Sequence, residues 1–278
     1  MSRLRHSGIV RLADRLPSIE RRILETAERL RLLRADQVRR LFFSEIESET
    51  GGARLCRRAL AHLVEEGLLR RLERRVGGTR AGSSGHLYAT TAAGARLLAY
   101  WNGAGVASNR GAHEPGAAFA SHTLAIADLY VSLVEASRSS ALELLGFETE
   151  PACWRAYTTA LGARATLKPD ALVRLAHGDY EYVSFVEIDC GTEGRGALLR
   201  KAHAFLSYFR TGREQAETGV FPRVVWIASQ ATRAKFLTAI FAGLPAEAQQ
   251  LFVVGSTEEA TALLTGSESR FTSSGGAR

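Results

Sequence analysis

The spacing of apolar residues changes from a helical period to a strand period at Gly67, and this change constrains the fold more than any other feature. Before it, apolar side chains recur at helical spacing in three segments, residues 18–33, 35–43 and 53–66. After it, two segments alternate as strands do, residues 68–75 and 86–91, with a glycine-rich stretch between them. Three helices followed by a hairpin are the order of a winged helix-turn-helix, which the sequence therefore predicts over residues 1–101.

The positive charge of the chain is confined to this predicted module. Residues 1–101 contain 20 arginines, no lysine and 11 acidic residues, a net charge of +9, whereas residues 102–278 contain 16 basic and 18 acidic residues, a net charge of −2. An arginine excess on one module is typical of proteins that bind nucleic acid, because the phosphate backbone is uniformly negative. Double-stranded DNA is the expected partner of this module.

On a helical wheel, the third predicted helix separates an apolar side from an arginine side. The apolar side carries Cys56, Ala59, Leu60 and Leu63. The opposite side carries Arg54, Arg57 and Arg58, and the hairpin adds Arg70, Arg71, Arg74, Arg75 and Arg80. Arginine donates a fork of N–H groups to guanine or to phosphate, so these eight are the predicted DNA-binding residues. A solvated arginine surface is the alternative explanation for any one of them.

The remainder of the chain predicts a linker, a second domain and a tail. Residues 102–118 are rich in glycine, alanine, serine and asparagine, a composition typical of a linker. Residues 119–265 predict a helix, three strands at residues 142–148, 167–175 and 182–189, and then helices that alternate with two further strands. A mixed sheet with helices on its faces follows from that order, so the expected fold class is α+β. The serine- and glycine-rich residues 266–278 predict a disordered tail.

Three acidic residues lie close together in the predicted sheet of the second domain. Glu187 and Asp189 are two residues apart, so on a strand they point to one face, and Asp170 on the preceding strand can join them. Carboxylates this close repel one another unless a cation lies between them, and Mg²⁺ prefers such oxygen ligands. The sequence therefore predicts a magnesium site at Asp170, Glu187 and Asp189. The alternative is structural, with Asp170 capping a turn and Asp189 ending a strand.

The order Pro169, Asp170, strand, Glu187 and helix resembles the PD-(D/E)XK nuclease superfamily. This resemblance implies a nuclease-like fold for the second domain, with Asp170 and Glu187 as the metal-binding acids. The lysine of the superfamily's pattern would fall on Asp189, and Lys201 on the next helix is expected to replace it. The implied catalytic residues of a magnesium-dependent DNA endonuclease or nickase are Asp170, Glu187, Asp189 and Lys201. The structural alternative for Lys201 is a stem lying along the buried side of its helix.

Longer stretches of the chain resemble the replication-relaxation family. The motifs that carry this resemblance are, in chain order, RRILE, LFF, RRALAHLVEEGLLRRL, YATTAAGARLL, HTLAIADLYVSLVEA, KPDALVRL, FVEIDCGTE, LLRKAHAFLSYFRTG and FPRVVWIA. Members are associated with plasmids and integrative mobile elements, so the resemblance implies a role in replication or DNA processing, together with other replication or mobilisation proteins. The alternative function is a catalytically inactive transcriptional regulator or replication scaffold, in which the second domain serves dimerisation.

The cysteines and the hydropathy predict a cytoplasmic protein without a membrane partner. The three cysteines, Cys56, Cys153 and Cys190, lie far apart and form neither a CxxC pair nor a disulfide spacing. No stretch approaches the roughly 18 uncharged apolar residues that span a bilayer, and the N-terminal residues contain no apolar signal core.

Overall fold

The computed structural model describes residues 6–46, 48–72, 86–103 and 116–266. The chain divides into two compact units, Met1–Val131 and Ser132–Arg278, and each combines helices with strands, which confirms the α+β class. The division lies inside a helix and not within the linker predicted at residues 102–118. The reason is that Ala120 and Leu124 belong to the apolar core of the first unit. Residues 104–115 of that linker and 267–278 of the tail lie outside the described residues.

The first unit is built around a small antiparallel sheet. Its elements are α1 (His6–Arg15), α2 (Ser18–Leu30), β1 (Leu33–Arg34), α3 (Ala35–Phe42), α4 (Glu49–Glu65), β2 (Leu69–Leu72), β3 (Leu87–Thr90), α5 (Ala92–Trp101) and the first part of α6 (Ala117–Ser139). The strand order is β1-β3-β2, and both pairings are antiparallel. The three predicted helices and both hairpin strands are present. The sequence pattern does not reveal β1, because two residues are too few to establish a strand period.

The start of α4 differs from the sequence expectation. The helix begins at Glu49, where the side chain of Ser48 accepts a hydrogen bond from the backbone N–H of Gly51 at 3.2 Å. The expected start after Gly52 is therefore wrong, because this glycine does not interrupt the helix. A Cβ atom at Gly52 would come within 2.8 Å of the carbonyl oxygen of Phe43. The glycine instead allows α4 to approach the end of α3 closely.

Gly52→Ala is expected to lower the free energy of unfolding by about 1–3 kcal/mol, because the added methyl group must displace a backbone carbonyl. Gly51→Ala is the matched control, since its Cβ atom would contact only side chains at 3.4 Å or more, and alanine is the better helix former. Urea denaturation of the two variants measures the difference. A Gly52→Ala protein as stable as Gly51→Ala would contradict the close approach of α3 and α4.

Buried hydrogen bonds join the start of α3 to α6 within the first unit. The side-chain N–H of Gln37, which is fully buried, donates to the Asp128 carboxylate at 2.7 Å and to the Leu124 carbonyl at 3.3 Å. The guanidinium of Arg34 adds an ion pair to Asp128 at 2.7 Å. These contacts satisfy polar groups that would be costly to bury unpaired. They explain why the first part of α6 belongs to this unit.

Of the helices that the structure describes, α6 is long and apolar enough to cross a membrane by length and composition alone, which differs from the sequence expectation because Asp128 interrupts its uncharged residues. Some of its apolar side chains recur at helical spacing along one buried side, namely Ala120, Leu124, Ala127 and Val131. A helix buried inside a protein has the same composition, so this property alone does not place the chain in a membrane.

The second unit contains a five-stranded mixed sheet and a separate hairpin. After the end of α6, its elements are β4 (Leu142–Thr149), β5 (Arg155–Thr158), β6 (Arg164–Leu167), β7 (Ala171–His177), β8 (Tyr180–Asp189), α7 (Arg195–Phe209), α8 (Arg213–Thr218), β9 (Arg223–Ala228), α9 (Ala231–Phe241), α10 (Ala246–Leu251), β10 (Phe252–Ser256), a 3₁₀ turn (Thr257–Glu259) and α11 (Ala260–Leu264). The strand order is β10-β9-β8-β7-β4, antiparallel from β4 to β8 and parallel from β8 to β10. The hairpin consists of β5 and β6.

The order of the five-stranded sheet agrees with the sequence prediction, whereas the hairpin of β5 and β6 and the short helices α8 and α10 were not predicted. The strand expected at residues 167–175 is two elements, since β6 ends at Leu167 and β7 begins at Ala171. A proline at position 169 lies between them and cannot donate a hydrogen bond to a strand ladder. One face of the sheet is covered by α7 and α9 over an aromatic core that includes Phe185, Phe205 and Trp226.

Candidate functional site

The arginine side of α4, which comprises Arg54, Arg57 and Arg58, is exposed as the helical wheel predicts. The opposite residues, Cys56, Ala59, Leu60 and Leu63, are buried. Among the residues that the structure describes, none forms an ion pair with these three arginines. Because their guanidinium N–H groups have no carboxylate partner there, they are available to an anionic ligand.

The arginines predicted on the hairpin of the first unit are only partly placed. Arg70 is half-buried and Arg71 is exposed, both on β2. Arg74, Arg75 and Arg80 lie outside the described residues. The structure therefore places five of the eight predicted DNA-binding arginines in the first unit, three on the arginine side of α4 and two on the neighbouring strand.

In the second unit, β7 and β8 bring Asp170 and Glu187 together. Ala171 pairs with Val186 in the antiparallel ladder, and the backbone N–H of Asp170 donates to the Val186 carbonyl at 3.0 Å. The next position of the ladder thus places Asp170 opposite Glu187 on one face of the sheet. The Asp170 carboxylate also accepts a hydrogen bond from the backbone N–H of Ile188 at 2.7 Å. Asp170 therefore has a structural contact as well as an acidic neighbour.

Glu187 is buried against Lys201 of α7. Its side chain lies 2.9 Å from the Lys201 ammonium, which is also 3.2 Å from the Glu193 carboxylate. Burial, together with the nearby Asp170, raises the pKa of Glu187 to about 8, although Lys201 opposes this change. Burial lowers the pKa of Lys201, but the surrounding carboxylates outweigh it and hold that pKa above its ordinary value. Asp170, Glu187 and Lys201 are hereafter the acid–lysine cluster.

Glu187→Gln is expected to remove a pH dependence of stability. Burial raises the pKa of Glu187 in the folded protein from 4.5 to about 8, so ionisation of this group lowers the free energy of unfolding as pH rises through that window. The variant lacks this carboxyl and should therefore gain stability relative to the wild type as pH rises through the same window. Urea denaturation in EDTA at several pH values measures this gain. Glu181→Gln, an exposed position on the same strand, is the control, and a gain independent of pH would contradict the expectation.

Asp189 lies on the same side of β8 as Glu187 but belongs to a different contact. One carboxylate oxygen is 3.0 Å and 2.9 Å from the Nε and Nη2 atoms of Arg233 on α9, and the other accepts a hydrogen bond from the backbone N–H of Gly191. Arg233 also donates to the carbonyl of Glu193. Both oxygens of Asp189 are therefore engaged by the protein itself. The sequence analysis missed Arg233, because it lies 44 residues from Asp189 and no local pattern connects them.

The geometry bears directly on the predicted magnesium site. Within the described ranges, no group of three or more histidine, cysteine, aspartate and glutamate side chains is arranged to hold a metal ion. Asp170 and Glu187 are the pair of adjacent carboxylates that remains once Asp189 is paired with Arg233. Such oxygen ligands fit Mg²⁺, and these two acids are the residues that would hold it. The metal site itself stays a prediction.

The fold and the two sites define an α+β protein of two units, one with an exposed arginine helix and the other with a buried acid–lysine cluster. The chain belongs to the replication-relaxation family, which matches residues 24–224. This membership confirms the resemblance seen in the sequence and suggests a role in the replication or relaxation of a plasmid or mobile element. The matched residues include both the arginine side of α4 and the acid–lysine cluster. No curated protein and no solved structure matches the chain.

Proposed function

We propose that this protein binds double-stranded DNA through α4 and thereby acts in the replication, relaxation or processing of a plasmid or mobile element. The observation that carries the proposal is the arginine side of α4, which is exposed and without carboxylate partners among the described residues. Guanidinium groups on one side of a helix can bind phosphate oxygens and the guanine edge in the major groove.

The order of elements in the first unit supports this assignment. In winged-helix and related domains, the second helix of the helix-turn-helix enters the major groove. Here α3 and α4 form the helix pair, α4 precedes the hairpin strands β2 and β3, and β1 pairs with β3 as a third strand. The exposed Arg71 on β2 extends the basic surface from the helix to the hairpin. The net charge of +9 over residues 1–101 favours a polyanionic ligand.

The test is the salt dependence of binding. The full-length protein is titrated into a fluorescein-labelled 30-base-pair duplex, with fluorescence anisotropy as the readout, at several salt concentrations. Each phosphate neutralised by an arginine contributes about −0.9 to the slope of log affinity against log salt, so several contacts give a steep decrease. The proposal would be contradicted if the protein did not bind the duplex at low salt, or if its affinity did not depend on salt.

A second proposal concerns the chemistry of the second unit, which we infer to be magnesium-dependent DNA nicking at the acid–lysine cluster. The observation that favours it is the buried Glu187 beside Asp170, with the Lys201 ammonium 2.9 Å from the carboxylate. Mg²⁺ held by the two acids would supply an activated water when bound. Lys201 orients the Glu187 carboxylate and adds a positive charge beside it, where it can stabilise a negative phosphoryl group. Asp189, paired with Arg233, positions α9 and is not part of this proposed centre.

Nicking is tested with supercoiled plasmid that carries the DNA flanking the protein's own gene. Incubation with Mg²⁺ or Mn²⁺ should convert supercoiled plasmid to the open circular form, whereas EDTA should prevent the conversion. Plasmid that stays supercoiled while the protein binds it would favour the alternative of a regulator or replication scaffold. A regulator should then protect a palindromic site with half-sites about one helical turn apart.

A further inference from the structure

We infer that the hairpin of β5 and β6, hereafter the β5–β6 arm, is a second DNA contact that binds the phosphate backbone along its exposed side and directs it towards Asp170. This inference rests on the proposal that the protein binds DNA. It assigns the arm a role that neither the sequence motifs nor the family match indicates.

The two sides of the arm differ in burial. Side chains on one side pack in the core of the second unit, and they belong to Tyr157, Ala165 and Leu167. The opposite side is exposed and comprises Ala156, Thr158, Arg164 and Thr166. Since side chains alternate across a strand, the arm has one covered side and one side available to a ligand.

The exposed side carries hydrogen-bond donors and positive charge. Residues 151–169 contain three basic residues and no acidic residue, although residues 102–278 have a net charge of −2. Arg164, Thr166 and Lys168 are spaced two apart and are all exposed. Arginine, threonine and lysine are among the side chains that donate to phosphate oxygens in protein–DNA complexes.

This row of donors ends at the acid–lysine cluster. Lys168 directly follows β6, and two residues later Asp170 begins the contact with β8. The Lys168 ammonium lies 4.5 Å from the centre of the Trp154 ring, which limits the positions it can take. A phosphate backbone bound to Arg164 and Lys168 is thereby led towards Asp170, at the start of β7.

The arm is held in place by α8. Arg213 donates to the Ala156 carbonyl at 3.0 Å, and Arg155 lies 3.3 Å from the Glu214 carboxylate, which is nearly fully buried. The aromatic rings of Tyr157 and Tyr208 add a contact with centres 5.2 Å apart. An arm fixed in this way does not lose conformational freedom on binding, which favours a defined contact with a ligand.

The tip of the arm is apolar. Leu161 is 96% exposed in the turn between the two strands. Apolar side chains on DNA-binding proteins can insert between base steps in the minor groove, next to basic residues on the phosphates. A leucine at the end of a basic hairpin fits this mode, so the tip is expected to enter the groove while Arg164 and Lys168 contact the backbone.

The test removes the two charges of the exposed side in the full-length protein, as Arg164→Ala with Lys168→Ala. The matched control removes two exposed charges elsewhere in the second unit, as Arg174→Ala with Arg210→Ala, whose side chains pair with Glu181 and Glu247. Binding to the 30-base-pair duplex is measured against salt. The arm variant should bind at least tenfold more weakly, and its salt slope should be smaller by about 2, since two phosphate contacts are lost. The control should keep the wild-type slope, and Arg164→Lys with Lys168→Arg should restore it.

The outcomes separate this inference from the proposal on α4. If the arm variant binds like its control while substitution of Arg57 and Arg58 weakens binding, the arm is not a DNA contact and the DNA-binding function stands. If the wild-type protein does not bind the duplex, both the proposed DNA-binding function and the inference about the arm are wrong. Thermal melting checks folding, and if the alanine variant unfolds, Arg164→Gln with Lys168→Gln, which removes both charges but keeps long polar side chains, decides the question. If the arm binds another protein instead, the arm variant should bind the duplex as tightly as the wild type does, and the inference would be wrong.

Discussion

Glu187→Gln is expected to abolish plasmid nicking while leaving the affinity for DNA unchanged. Glu187 is one of the two adjacent carboxylates proposed to hold Mg²⁺, and glutamine keeps the shape but not the charge. We expect the nicking rate to fall by about 100-fold or more, as it does when an active site loses a principal charged group. The assay compares wild type and variant on supercoiled plasmid with Mg²⁺, alongside anisotropy titrations with the 30-base-pair duplex.

The glutamine variant should fold, because burial raises the pKa of Glu187 and so favours its neutral form, which glutamine resembles in shape. Glu181→Gln is the control, since this residue lies on the same strand and is exposed. Nicking that persists at the wild-type rate in Glu187→Gln would place the chemistry elsewhere. Loss of nicking and of DNA binding together would indicate damage to the structure rather than to the centre.

Arg57→Ala with Arg58→Ala is expected to weaken binding to duplex DNA by at least tenfold and to make it less dependent on salt. Both side chains are exposed on α4 and have no carboxylate partner among the described residues, so their removal takes two cations from the proposed interface. Each lost phosphate contact should reduce the slope of log affinity against log salt by about 0.9. Anisotropy titrations at four or more salt concentrations give both quantities.

The control for this variant removes the same charge from other helices of the first unit. Arg15→Ala with Arg21→Ala serves, since Arg15 is exposed on α1 and Arg21 is half-buried on α2 beside Glu25. If only the total positive charge mattered, both variants would lose the same affinity for the duplex. If α4 is the interface, only Arg57→Ala with Arg58→Ala should lose affinity. Wild-type affinity and slope in Arg57→Ala with Arg58→Ala would exclude α4 from the interface.

The arginine side of α4 could be predicted from the sequence because it depends on a local period. Residues three and four apart fall on one side of a helix, so the apolar positions Cys56 and Leu60 determine where Arg57 and Arg58 must point. The neighbourhood of Asp170 and Glu187 was also predictable, since two adjacent strands joined by a short turn pair in antiparallel register. Both predictions need only short-range geometry.

Other features could not be predicted because they depend on contacts between distant segments. The pairing of Asp189 with Arg233 joins the end of β8 to α9, across 44 residues of sequence. The hydrogen bonds of Gln37 and Arg34 with Asp128 place part of α6 in the first unit, whereas composition alone places the boundary in the glycine-rich stretch before it. The residues next to these side chains in the sequence form no pattern that would identify their distant partners.

The ion pairs of Arg233 and Lys201 have a consequence for how the second unit is assembled. Each acid on this side of β8 has a cation of the chain beside it, Lys201 for Glu187 and Arg233 for Asp189. The electrostatic repulsion among these acids is thus neutralised from within, by side chains that come from two helices later in the chain. Because these cations belong to the chain itself, we expect the second unit to reach its native state in EDTA as readily as in buffer that contains a divalent cation.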